Sequence, residues 1–240
     1  AMAAPAQCQR ETHYFCLRVE DLSADPSSPV HLMVIDHLAH GISARDAPQV
    51  QFTVHGAMLD TLTRLRAPRE DYSTYVIGGG SFSVPRSLLA QGAGPMTVAE
   101  IDPEVTRLAA EAFWFDPDSA EVWHEDARRA MLIRPDVEFD VIIGDAFTDV
   151  VVPVHLITRE FYELVAARLT PEGSFLLNVI DFEDRLQALG AVVRTLDGVF
   201  PMVEVWTVQR PPEPGQRMVF VVAAGDRPTP VDSFTAAAPA

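Results

Sequence analysis

The order of apolar and polar positions divides the chain near residue 70. Before it, residues 13–20 and 30–36 are β-rich and flank the turn Asp25-Pro26-Ser27-Ser28-Pro29, which predicts two short strands joined as a hairpin. A helix is predicted over 56–65. After it, apolar runs at 74–77, 96–102, 121–125, 139–143 and 174–179 alternate with segments of helical period at 84–90, 104–113, 158–169 and 184–196. Strands that alternate with helices build a parallel sheet. Pro171-Glu172-Gly173 is placed to close the helix over 158–169, and the runs 202–208 and 217–223 read as an antiparallel pair. The expected fold is therefore α/β: a Rossmann-like, seven-stranded sheet of the methyltransferase type with a small N-terminal β-hairpin domain. Residues 1–70 form the N-terminal appendage and linker helix, 71–226 the nucleoside-binding domain, and 227–240 a flexible tail. The chain shows no internal repeat.

Composition narrows the chemistry. The 240 residues hold 18 Lys+Arg against 34 Asp+Glu, for a formal charge of −16, and every one of the cations is arginine. Without lysine, no Schiff base can hold PLP or a carbonyl substrate, and no P-loop lysine can reach a nucleotide phosphate. The acidic balance argues against nucleic acid as a partner. It suits cationic small molecules, or simply keeps the protein in solution. No apolar run reaches the roughly 18 residues that a membrane span needs, and no signal peptide is recognisable at the start. In an extended stretch Cys8 and Cys16 would lie roughly 26 Å apart, against a limit of about 7 Å between the Cα atoms of a disulfide, so pairing them requires a chain reversal.

Candidate chemistry gathers where the strands end. Gly78-Gly79-Gly80-Ser81 closes the first strand of the α/β part and opens a helix, a place where the backbone approaches a ligand closely and helix N–H groups are free. Glu100 follows Gly80 by 20 residues, at the end of the second strand, where an acid accepts hydrogen bonds from ribose hydroxyls. Asp102 reads as the cap of the helix that Pro103 begins. Glu125-Asp126-Ala127 ends the third strand, where such folds hold an adenine amino group, and Asp126 is the better placed of the two acids. Ile101 and Ala127 accompany Glu100 and Asp126 as pocket residues. Asp145 ends the fourth strand at the ligand-binding edge, where a carboxylate serves as a general base or orients a cation. Asp149, four residues on, is either a substrate contact or a loop cap. His31, His37, His40 and His55 have no metal-binding helix spacing, and their mixed odd and even separations keep them off a single strand face, so no metal is expected.

These residues together resemble the spermidine synthase (polyamine aminopropyltransferase) family, closest to its bacterial branch often fused to membrane-transporter-like segments. The supporting stretches are Thr12-His13-Tyr14-Phe15-Cys16-Leu17-Arg18-Val19, Val34-Ile35-Asp36-His37-Leu38-Ala39-His40, Val76-Ile77-Gly78-Gly79-Gly80, Ala99-Glu100-Ile101-Asp102-Pro103 and Asp145-Ala146-Phe147 running on to Val154-His155-Leu156 and Arg159-Glu160-Phe161. The resemblance implies a pocket for decarboxylated S-adenosylmethionine or S-adenosylmethionine, with Glu100 on the ribose, Asp126 on the adenine and Asp145 as the catalytic aspartate. It also implies His40, His55 and Asp149 as substrate contacts, a homodimer, and a cytoplasmic protein or the cytoplasmic-side domain of a membrane protein, with membrane segments in the full-length chain. Ser81 stands where the family has an aspartate that helps hold the aminopropyl ammonium. Val54-His55-Gly56 stands where the family has Tyr-His-Glu, and Thr148 where it has a second aspartate. The nucleoside half of the pocket is thus retained, and the amine half is altered. The implied activity is a transferase of polyamine-biosynthesis type that releases methylthioadenosine, with a non-standard amine acceptor. The alternatives are a methyltransferase or a lyase or cyclase acting on S-adenosylmethionine, and a nucleoside-binding sensor without turnover.

Overall fold

The computed structural model describes residues 8–147, 152–208, 213 and 215–235. Four antiparallel strands come first, in the spatial order of the chain: β1 (Arg10–Glu11), β2 (Cys16–Asp21), β3 (Val30–Ile35) and β4 (Leu38–Ala44). The pair β2–β3 is the expected hairpin, and β1 and β4 extend it to a four-stranded sheet. Strand β4 escapes a search for alternation because Leu38-Ala39-His40-Gly41-Ile42-Ser43-Ala44 is mostly small or polar, and its pairing with β3 slips between Met33 and Val34. A Cβ on Gly41 would collide with Ser81 Oγ, so the glycine lets the small sheet close against the loop after β5.

The chain reversal that a disulfide requires lies between β1 and β2, where Glu11 sits opposite Cys16. Cys8 and Cys16 are joined, with Cα atoms 5.5 Å apart. The strap so closed is tied to the large domain by Arg10 to Glu111 (2.7 Å) and by Thr12 Oγ1 donating to Asp102 Oδ2 (2.6 Å). Reduction of this disulfide is expected to cost about 2–3 kcal/mol, or roughly 5–10 °C in Tm for a chain of this size. Thermal unfolding with and without a phosphine reductant checks it, and an unchanged Tm would remove the strap from the stability of the fold.

The second sheet has seven strands in the order β10-β11-β9-β8-β5-β6-β7. Along the chain run α1 (Val54–Arg66), β5 (Thr74–Ile77), α2 (Ser83–Ala90), β6 (Met96–Ala99), α3 (Pro103–Ala112), β7 (Glu121–Trp123), α4 (Ala127–Ile133), β8 (Phe139–Gly144), α5 (Arg159–Ala166), β9 (Leu169–Phe182), α6 (Gln187–Asp197), β10 (Met202–Thr207) and β11 (Arg217–Gly225). Only β11 runs against its neighbours. Strands β5, β6 and β8 are buried along their whole length, as expected of parallel strands covered on both faces. Alternation sends Tyr75 and Ile77 into one apolar layer, with Ile142, Phe161 and Phe175. It sends Val76 into the other, with Leu59, Phe113 and Val141, which Leu17, Met33 and Ile35 of the small sheet also join.

Two elements differ from the sequence pattern. Helix α4 has seven residues, too few turns for a helical period to stand out, and Asp126 nucleates it by accepting Arg129 N–H at 2.8 Å. Helix α5 stops at Ala166, and Pro171-Glu172-Gly173 lies inside β9 rather than after a helix. Buried Asp140 fixes this stretch by accepting from Thr170 Oγ1 (2.7 Å), from Ser73 N (2.8 Å) and from Arg69 Nη2 (2.6 Å). The segment after β11, assigned by composition to a tail, folds back over its described residues. Thr229 is buried against Glu204 and Arg66, and Phe234 packs on Trp206 with ring centroids 5.2 Å apart.

Candidate active site

A cavity of about 580 Å³ opens at the carboxyl ends of β5 to β9, the crevice where doubly wound sheets take their ligands. Tyr14, Phe15, Leu38 and His40 of the N-terminal part wall its other side.

The floor is the glycine turn. Gly78 and Gly80 have φ of +93° and +51°, the left-handed region that glycine enters without penalty. A Cβ on Gly78 would also lie 2.8 Å from the carbonyl oxygen of Asp145, so glycine is what allows the ends of β5 and β8 to meet. Gly78, Gly79 and Gly80 all line the cavity. Ser81 does not: it is buried, its Oγ faces Gly41 and has no hydrogen-bond partner, and Ser83 is the serine at the cavity wall.

Glu100 is 5% exposed and lines the cavity with Ile101. Its Oε2 accepts Gly79 N–H and its Oε1 accepts Asp102 N–H, at 2.8 and 2.9 Å. Burial pushes its carboxyl above the ordinary glutamate range, and the backbone donors pull in the other direction without cancelling it. A carboxylate offers about four lone-pair sites, and the backbone N–H groups of Gly79, Gly80 and Asp102 do not use them all. Asp102 turns away and caps α3, accepting Glu104 N–H at 2.9 Å.

Glu125, Asp126 and Ala127 line the next stretch. Glu125 is held by Arg129 and Arg134, at 2.8 and 2.7 Å. Asp126 meets His155 Nε2 at 2.7 Å, and Arg128 donates to the His155 carbonyl at 3.0 Å, which ties the segment after β8 to the start of α4.

Asp145 lines the cavity, and its Oδ1 accepts Asn178 Nδ2 at 2.8 Å. Asn178 is 1% exposed and its own Oδ1 has no partner, leaving an acceptor beside the carboxylate. His40 and His55 also face the cavity. Burial pushes the His40 imidazole below its ordinary pKa, Asp145 opposes the shift, and His55 adds to it. Asp149 lies outside the described residues.

The fold thus brings Gly78, Gly79, Gly80, Glu100, Ile101, Asp126, Ala127, Asp145, His40 and His55 to one cavity and leaves Ser81 out. Asn178, His155 and Arg217 line it as well, without having been singled out as site residues. Asn178 had a signal: one amide inside Phe175-Leu176-Leu177-Asn178-Val179-Ile180, where an apolar strand gives a polar side chain no other use. His155 and Arg217 carry no local pattern that separates them from surface residues. Among the described residues no group of three or more His, Cys, Asp or Glu side chains gathers as metal ligands, and no helix is long and apolar enough to cross a membrane.

Residues 57–233 match the profile of the spermine/spermidine synthase domain. A polyamine aminopropyltransferase of Vibrio vulnificus is 29% identical over 148 residues, 60% of this chain and 48% of that protein. Polyamine aminopropyltransferase 2 of Pseudomonas aeruginosa is 28% identical over 202 residues, 79% of this chain and 55% of that one. An N-terminal histidine N-methyltransferase of Emericella nidulans is 29% identical over 180 residues, 72% of this chain and 32% of that one. The matches span about half the length of these relatives, or less. Among solved structures, a probable spermidine synthase from Corynebacterium glutamicum aligns with a TM-score of 0.79 at 23% identity, over 91% of this chain and 79% of that one. Human methyltransferase-like protein 13 in complex with SAH aligns at 0.62 and 24%, over 76% and 86%. At these identities the structural likeness shows the fold.

Proposed function

We propose, from the premise that this chain belongs to the spermine/spermidine synthase domain family, that it transfers the aminopropyl group of decarboxylated S-adenosylmethionine to a non-standard amine acceptor and releases methylthioadenosine. The observation that carries this reading is a single cavity shared by the glycine turn, Glu100, Asp126 and the Asp145–Asn178 pair. Glu100 takes the ribose hydroxyls on the lone-pair capacity that its backbone donors leave. Asp126 takes the adenine amino group, and Ile101 and Ala127 flank the base. The acceptor nitrogen attacks the methylene carbon next to the sulfonium. The N–C bond forms as the C–S bond breaks, its electron pair goes to sulfur, and methylthioadenosine leaves as a neutral thioether. The nitrogen that attacks must be neutral, so the Asp145 carboxylate first takes one proton from the acceptor ammonium and passes it to solvent, and the alkylated nitrogen keeps the protons it then carries.

The acceptor half supports a non-standard amine. Ser81 is turned from the cavity, Gly56 stands where the family's Tyr-His-Glu has its acid, and two imidazoles, His40 and His55, line the cavity. Burial favours neutral His40, which neither attracts nor repels a cation as a charged group does. Methylthioadenosine release from decarboxylated S-adenosylmethionine, measured with a panel of amines, tests the proposal, and no release with any acceptor would count against transfer. Glu100→Ala is expected to weaken nucleoside binding by about tenfold to a hundredfold, as loss of one or two charge-assisted hydrogen bonds predicts. Because the Glu100 pKa is raised, wild-type affinity should fall on acidification at a higher pH than an ordinary glutamate would give, and titration calorimetry across pH reads both effects.

A second reading, methyl transfer from intact S-adenosylmethionine, is favoured by Ser81. With no acid at that place, one reason to prefer a donor without a carboxylate is gone, and the similarity to the N-terminal histidine N-methyltransferase points the same way. Parallel calorimetry with the two nucleosides separates the readings. Tighter binding of the decarboxylated form would remove the second.

A further inference from the structure

Every acid that lines the cavity has a partner already: backbone N–H groups for Glu100, two arginines for Glu125, His155 and a helix end for Asp126, and Asn178 for Asp145. The one arginine in the lining, Arg217, has none. Its guanidinium lies over the Phe182 ring, 5.5 Å from the centroid, with no carboxylate in ion-pair range among the described residues. In a chain of charge −16, a free cation at a substrate cavity repels the polyamines that an acidic cavity would collect.

Its position says which part of a ligand it meets. Arg217 stands opposite Phe182 on the β9–β11 ladder, and Val221 stands opposite Asn178. Those four residues place Arg217 roughly 13 Å along the strand from the Asp145–Asn178 pair, where it is exposed and lines the rim of the cavity with its guanidinium over Phe182. The glycine turn and Glu100 lie on β5 and β6, beyond β8 and away from β11. Arg217 therefore faces the acceptor end of the cavity, at a spacing that suits the far end of a short amine. A guanidinium there, supported by an aromatic face, is built to take a carboxylate through paired N–H donors.

We propose that Arg217 is a specificity-determining residue for an acceptor that carries a carboxylate as well as its reacting amine, as an α,ω-diamino acid does. The inference rests on the aminopropyl-transfer reading for the identity of the two cavity ends. The reacting amine sits at Asp145, which Asn178 holds in place, and the carboxylate sits on Arg217. The bonds made and broken are those of the transfer step, and the carboxylate takes no part in them.

The test uses equilibrium binding, so it does not depend on turnover. Protein saturated with methylthioadenosine is titrated with matched pairs, ornithine against putrescine and lysine against cadaverine. The wild type is expected to favour the amino acid of each pair by about tenfold, the worth of one charge-assisted hydrogen bond. Arg217→Gln should bring that ratio to near one, by weakening the amino acid and strengthening the diamine, and Arg217→Lys should restore part of it. Equal binding of both members by the wild type, no binding of either, or a ratio unchanged in Arg217→Gln at unchanged Tm would each overturn the proposal. If Arg217→Gln weakens intact S-adenosylmethionine instead, the carboxylate belongs to the donor and the acceptor assignment is wrong. Absence of methylthioadenosine release alongside a retained amino-acid preference would count against the transfer reading and leave Arg217 as a carboxylate site.

Discussion

Asp145→Asn is expected to lower kcat by about a hundredfold to ten-thousandfold, the range for loss of a positioned general base, while the nucleoside Kd stays within about twofold. The reasoning follows from what the side chain touches. Asp145 Oδ1 accepts Asn178 Nδ2 at 2.8 Å, and an asparagine oxygen can accept the same bond, so the end of β8 keeps its geometry. What disappears is the negative charge that takes the proton from the acceptor ammonium before its nitrogen attacks. The nucleoside contacts proposed for Glu100 and Asp126 come from other strands and are not shared with Asp145. Single-turnover release of methylthioadenosine reads the rate, and calorimetry reads the binding. A kcat within threefold of the wild type would mean that Asp145 is not the base. A parallel loss of nucleoside affinity would mean that it holds the donor instead.

Arg66→Met is expected to cost about 3 kcal/mol of stability, the lower end of the range for removing one partner of a buried ion pair. The lower end applies because Glu204 keeps 22% of its side chain exposed. Arg66 is 1% exposed, and its guanidinium binds four groups from distant parts of the chain. Nε donates to Ser174 Oγ at 3.1 Å, and Nη1 donates to Glu204 at 2.8 Å and to Thr229 Oγ1 at 2.9 Å. Nη2 donates to the Arg227 carbonyl at 2.8 Å. Methionine fills much of the volume and satisfies none of these acceptors. For a chain of this size the loss corresponds to roughly 6–12 °C in Tm. Thermal unfolding by circular dichroism checks it, with Arg66→Lys falling between, since a lysine cannot span all four acceptors. A shift under about 2 °C would show that the segment after β11 does not depend on Arg66 for its place.

How much of this protein is legible in its sequence depends on how far apart the cooperating residues lie. The strands β5, β6 and β8 follow from runs of apolar residues, because burial on both faces leaves no other pattern. Asp102 as a helix cap is equally local: it acts on an N–H two residues away. Helix α4 was hidden by its brevity, and β4 by its small residues. The stop expected at Pro171 failed because Asp140, some thirty residues earlier, holds that stretch in β9 through Thr170.

For the site, the sequence by itself determined which residue types stand at the carboxyl ends of the strands: the glycines after β5, Glu100 after β6, Asp126 after β7 and Asp145 after β8. Parallel sheets put ligands there, and the period of the pattern marks where each strand ends. Only the tertiary structure decided which way each side chain turns and what shares the cavity with it. Ser81 belongs to the same loop as Gly80 yet faces Gly41, because the small sheet closes on that side. Asn178 reaches Asp145 from 33 residues away, and Arg217 arrives on the one antiparallel strand. Periodicity carries information over a few residues. The partner that a side chain meets is set by strand order and by the docking of the two sheets, and no local pattern records either.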